Sequence, residues 1–123
     1  YVDLLPVTSA ASFAPLPVGG TPLYRADRLG RTLGMTRLYL KDDGRNPTAS
    51  LKDRASAVGV ARARELGHTL ISGASTGNAA ASLAGQTAAA GMEAIIFVPE
   101  SAPPAKIAQL LVYGAKVLAV EGN

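Results

Sequence analysis

The sequence predicts an open α/β layer, a parallel sheet layered with helices, on three observations. Helical stretches alternate with short apolar runs, each of those helices stops at a glycine, and the apolar runs carry no alternating polar face. The helices are expected over residues 51–66, 77–90 and 103–113, closed by Gly67, Gly91 and Gly114. A strand candidate follows each glycine: Leu70-Ile71, then Ala94 to Val98, then Val117 to Val120. Right-handed crossovers stack such units, and ligands bind where strands end, so the loops after residues 41, 73, 98 and 120 are the ones to inspect.

The earlier part of the chain differs. Residues 1–18 hold three prolines with no helical period and predict an extended arm lying on another element. Gly19-Gly20-Thr21-Pro22 turns into a short extended segment, Leu29 and Leu33 mark a helical turn or two, and Arg37 to Lys41 alternates as a strand. Asp42 to Pro47 breaks that strand. Ser50 is then placed to cap a helix, with Asp53 at the spacing of a capping box, which makes Leu51 and Lys52 its first residues. This is an unusual address for a cation, because a helix N-terminus carries partial positive charge of its own. Pro103-Pro104 starts the last helix, and Glu121-Gly122-Asn123 stands where the pattern calls for another.

Composition narrows the function. The 123 residues suit one compact domain, or a piece of something larger, and an apolar fraction of 48% with only 5% aromatics favours helices packed closely on a sheet. Twelve Lys and Arg against nine Asp and Glu give a net charge of +3 without a basic run, which argues against a nucleic-acid footprint. The absence of cysteine rules out disulfides and thiolate metal sites, and one histidine with dispersed acids leaves no metal expected. Neither a leader nor a long apolar run is visible, so the expectation is a cytoplasmic protein without membrane contact.

Two stretches carry chemistry. Gly73-Ala74-Ser75-Thr76-Gly77-Asn78 joins a strand to a helix with small residues, hydroxyls and free N–H groups, a suitable cradle for a carboxylate or phosphate. The same loop also suits a plain turn in which Ser75 or Thr76 caps the helix. Lys52, which alone would read as a solvated helix residue, gains meaning beside that cradle: an amine can hold an aldehyde cofactor as a Schiff base while the cradle holds a substrate carboxylate. His68 reads as a loop histidine, Asp42 and Asp43 as no acid pair, and Lys41 as a surface charge near the site.

Lys41-Asp42-Asp43-Gly44-Arg45-Asn46-Pro47-Thr48-Ala49-Ser50-Leu51-Lys52-Asp53-Arg54, followed by Ala74-Ser75-Thr76-Gly77-Asn78, resembles the tryptophan-synthase-like, fold-type II pyridoxal-phosphate enzymes, and within them the threonine synthases. Gly19 to Leu23 and Gly114 to Val117 extend the likeness over residues 19–123. The resemblance implies pyridoxal 5'-phosphate bound to Lys52, which also moves protons at the substrate carbons. It implies Asn78 on the cofactor's ring hydroxyl and Ser75, Thr76 and Gly77 on the substrate carboxylate. It further implies O-phosphohomoserine as substrate, a homodimeric parent, and a two-domain fold. There, residues 1–49 belong to the larger domain and residues 50–123 begin the smaller one, with the phosphate-binding loop beyond residue 123. Ala49, Leu51, Asp43 and Ala79 stand where the family usually has Gly, Phe, Glu and, in threonine synthases, often Thr. Serine or threonine dehydratases and cysteine synthases are the rival members, disfavoured by Asp53-Arg54 and by Ser-Thr-Gly-Asn-Ala at 75–79. A non-catalytic, truncated α/β anion-binding module is the rival of another class.

Overall fold

A computed structural model describes residues 2–122; Tyr1, which opens the expected arm, and Asn123, which ends the expected tail, lie outside the described residues. In chain order the elements are β1 (Leu23–Arg25), α1 (Asp27–Thr32), β2 (Tyr39–Lys41), α2 (Lys52–Glu65), β3 (Leu70–Ala74), α3 (Asn78–Ala89), β4 (Glu93–Pro99), α4 (Pro104–Val112) and β5 (Lys116–Val120). β3, β4 and β5 form a parallel sheet in sequential order, with Ser72 opposite Ile95 and Phe97 opposite Leu118. β1 and β2 pair antiparallel in a separate two-stranded sheet. Lys41 therefore ends a strand outside the parallel sheet, and the loop after it is not one of that sheet's carboxyl-end loops.

The repeating helix ending has one cause. After α2, Gly67 adopts φ +79°, which lets the His68 N–H reach the Ala63 carbonyl at 3.0 Å and the Gly67 N–H reach Arg64 at 3.0 Å. That pair of bonds satisfies carbonyls the helix cannot. α3 and α4 end the same way at Gly91 and Gly114. The chain leaves each helix at a fixed angle and runs directly into the next strand.

Alternation along β4 sets the core. Ala94, Ile96 and Val98 are buried against Ala80, Ala81 and Ala84 of α3 and Leu110 of α4, so both crossovers lie on one face of the sheet. Alanines let α3 approach the strands closely, and α2 packs on α3 as an outer layer. The opposite sheet face is only half covered: Leu70, Phe97, Leu118 and Val120 are 37–48% exposed. The apolar runs thus expected to be covered on both faces are covered on one.

The N-terminal arm is less extended than its prolines predict. It forms 3-10 turns at Val2–Leu4 and Ala10–Ser12 and is fastened to the last turn of α2. Glu65 accepts from the Thr8 N–H and hydroxyl, both at 2.8 Å, and from the Ser12 hydroxyl at 2.6 Å, while Arg62 donates to it at 3.1 Å. The Ser12 bond foremost, then those from Thr8, pull the Glu65 carboxyl down to about 2. The native arm therefore binds the ionised form, whereas the unfolded chain titrates near the ordinary glutamate value. Its contribution is complete above about pH 4.5 and is lost as the pH falls towards 2. The protection of the Thr8 and Ser9 amides, their exchange compared with the intrinsic rate at each pH, is expected to fall over that interval, and Glu65→Gln to abolish the change. Protection that stays constant with pH in the unsubstituted protein would refute the anchor.

Candidate active site

Lys52 opens α2 just before two anchored residues, Asp53 and Arg54. Asp53 is fully buried, and each of its contacts is a donor: the Thr48 N–H at 2.8 Å, the Thr48 hydroxyl at 2.9 Å, the Ser82 hydroxyl at 3.0 Å and the Gln86 amide at 3.4 Å. Arg54 forks onto Asp43 at 2.9 and 2.8 Å and reaches the Thr21 hydroxyl at 3.1 Å; Thr21 in turn donates to Asp43 at 2.7 Å. The hydrogen bonds from Arg54, and then from Thr21, hold the Asp43 carboxyl well below the usual aspartate range. Asn46 completes this side, donating to the Asp43 carbonyl at 2.9 Å and accepting the Gly19 N–H at 2.9 Å.

Successive residues of a helix point about 100° apart. With Asp53 turned into α3 and Arg54 turned to Asp43 and Thr21, Lys52 faces neither. Its side chain is exposed, and among the described residues its amine makes no hydrogen bond or ion pair. The Ser50 hydroxyl accepts the Lys52 N–H at 3.1 Å, although the capping position of α2 is Leu51, without a side-chain bond, and not Ser50 as expected. Asp53 does not close the expected capping box, because its carboxylate is committed to Thr48 and α3. Ala49, before the cap, sits at φ +56°, a left-handed conformation that costs a residue with a Cβ about 1–2 kcal/mol. The loop holds this shape through the Asn46 and Asp53 bonds on either side of it.

The second stretch lies at the carboxyl end of β3, where Ala74 stands opposite Phe97. The Ser75 N–H is taken by the Phe97 carbonyl at 3.2 Å, and the Ser75 hydroxyl accepts the Gly77 N–H at 3.1 Å. Ser75 and Thr76 do not cap α3. The capping position is Gly77, without a side-chain bond, and among the described residues the N–H groups of Thr76, Asn78, Ala79 and Ala80 find no acceptor. A Cβ at Gly77 would meet nothing nearer than the Ser75 hydroxyl at 3.9 Å, so there is open space beside these donors. Free donors around open space are what a carboxylate requires.

Asp53 relates the two stretches. Its partners Ser82 and Gln86 follow Asn78 by four and eight residues, one face of α3 with about 6 Å between successive positions. The start of α2 is thereby fastened to the middle of α3, with Ser82 in the half nearer the Ser75 loop. Sequence reasoning missed Thr48, Ser82 and Gln86, and gave Asp53 the wrong task. The available signal was a polar residue every fourth position, 78, 82 and 86, in an otherwise small and apolar helix. Lys41 donates to the Thr21 carbonyl and braces the arm's turn. His68 is exposed, its N–H spent on the end of α2.

The residues present fit an aldehyde cofactor with an amino-acid substrate: an amine free of ion pairs, an exposed amide at Asn78, and unpaired donors beside a glycine. Among the described residues no group of His, Asp and Glu suits a metal ion, and no helix is long and apolar enough to cross a membrane.

Comparison with known proteins agrees with this chemistry. A family described as pyridoxal-phosphate dependent enzyme matches residues 14–123. A threonine synthase of Methanocaldococcus jannaschii is 48% identical over the whole of this chain and 31% of its own length, and one of Methanosarcina acetivorans is 45% identical over the whole chain and 30% of its length. A solved pyridoxal 5'-phosphate-dependent aspartate racemase superposes with a TM-score of 0.73 at 30% identity, covering 84% of this chain and 33% of the racemase. The chain spans about a third of the length of these proteins. With the family matched over nearly all of its residues, the chain belongs to the pyridoxal-phosphate dependent enzymes.

Proposed function

We propose that this chain is the lysine-bearing part of a threonine synthase, a carbon–oxygen lyase that converts O-phosphohomoserine and water to threonine and phosphate. The observation that carries the reading is the free amine of Lys52, next to the pinned Asp53 and Arg54, on a helix fastened to the one that follows a loop with unpaired N–H donors. The whole-chain identity with threonine synthases supports this reaction over those of the dehydratases and cysteine synthases.

Bound pyridoxal phosphate supplies the electron sink for charge developing on the substrate carbons. Lys52 Nζ is the amine that takes the aldehyde and afterwards moves protons at those carbons. Ser75, Thr76 and Gly77 orient the substrate by its carboxylate, and the Asn78 amide meets the ring hydroxyl. Ala79, exposed on the first turn of α3, presents a methyl group where a hydroxyl would offer another contact. The arm and the β1–β2 pair, residues 1–49, are assigned to the larger domain of a cytoplasmic homodimer, and residues 50–123 to the smaller.

The test is chemical. The full-length enzyme is incubated with pyridoxal phosphate, reduced with borohydride and digested, and the labelled peptide is mapped. Label confined to Lys52 is expected; label spread over other lysines, or none, overturns the assignment.

A further inference from the structure

Asp53 poses a physical question. Burying a carboxylate without a counter-cation is costly, and an apolar side chain would pack α2 on α3 with less penalty. Among the described residues its contacts include no lysine or arginine, only Thr48, Ser82 and Gln86. An apolar residue, however, does one thing less. It cannot accept hydrogen bonds from two other segments at once and so tie three together.

Those three segments are the ones the site needs in register. Thr48 belongs to the loop that delivers Lys52, Asp53 to the helix that carries it, and Ser82 and Gln86 to the helix that begins at Asn78. Every side-chain hydrogen bond between α2 and α3 among the described residues is made by Asp53. The fit is also steric, since the Thr48 methyl occupies the place a Cβ at Gly85 would fill, 2.8 Å away. Loop and helix therefore meet at a polar pin and an apolar notch, one turn of α3 apart.

Resting on the proposed role of Lys52, we infer that Asp53 is a positioning residue for the reaction, holding the Lys52 amine at a fixed distance from the Ser75–Gly77 loop. It touches neither cofactor nor substrate. It fixes the rotation of the first turn of α2 and ties it to the helix that follows the carboxylate loop. A displacement near 1 Å between reacting groups lowers turnover by about 100-fold, so loosening this pin has its effect on kcat.

The experiment compares the full-length enzyme with its Asp53→Asn variant. Asparagine keeps shape and one acceptor for the Thr48 N–H, while the Thr48 and Ser82 hydroxyls can rotate to accept from its amide. The expected result is a folded protein that still gives borohydride label on Lys52, with kcat lowered by about 10- to 100-fold, KM within about threefold, and a shifted pH midpoint of the cofactor's absorbance band. Should Asp53→Asn fail to fold, Ser82→Ala takes its place, with a smaller loss of kcat expected in the same pattern. A folded variant with kcat and midpoint unchanged overturns the inference, as does a loss confined to KM. Failure of the underlying reading looks different: the unsubstituted enzyme would not be labelled at Lys52.

Discussion

Lys52→Ala in the full-length enzyme is expected to lower threonine formation by on the order of 10³-fold or more, with stability changed by no more than about 0.5 kcal/mol. The two halves of that expectation come from the same geometry. The Lys52 side chain is exposed and its amine bonds nothing among the described residues, so truncating it removes no contact the fold uses and leaves the backbone bond to Ser50 in place. Asp53 and Arg54 continue to fix the first turn of α2. Lys52→Arg is expected to fail almost as badly, because a permanently charged guanidinium cannot take the aldehyde. Steady-state turnover and thermal unfolding on the same preparations check both halves. Turnover retained by the alanine variant would refute the catalytic role, and a large loss of stability would refute the account of the surrounding clamps.

How far the sequence reveals this arrangement depends on the range of the cause. Helix endings at Gly67, Gly91 and Gly114 are local, since a left-handed glycine and its two hydrogen bonds involve six consecutive residues, and these endings were legible. The apolar runs of β3, β4 and β5 were legible for the same reason, with ends shifted by a few residues. The separation of β1–β2 from the parallel sheet was not. Both strands are three residues long, and their pairing is decided by the turn network of Thr21, Asp43 and Arg54, whose members lie up to 33 positions apart. Asp53 illustrates the same limit. Its spacing from Ser50 fits a capping box, yet a buried hydroxyl on α3 and the Thr48 amide compete for the carboxylate, and these long-range donors prevail. The Ser75 loop shows the reverse case. Ser or Thr before a helix usually caps it, but here Ser75 turns to the Gly77 N–H, leaving the start of α3 open for something other than its own side chains.

The notch at Gly85 makes the second large effect. Gly85→Val is expected to destabilise the fold by about 2–3 kcal/mol, although valine is no worse than glycine in a helix. A Cβ at this position comes within 2.8 Å of the Thr48 methyl and within 3.9 Å of the Tyr113 ring, between α3, the lysine loop and the end of α4. Thr48 cannot swing aside to make room, because rotating its β-branched side chain breaks the hydroxyl bond to Asp53 while its backbone N–H holds the same carboxylate. The clash must then be relieved by moving α3 from the loop, which would stretch the Asp53 pin. Thr48→Ser removes the methyl and keeps the hydroxyl, so the double variant is expected to recover at least about 1 kcal/mol by urea unfolding. The two changes are then coupled, as contact requires. If the energies simply add, the methyl is not seated in the notch, and the route by which α3 fixes the lysine loop reduces to Asp53 alone.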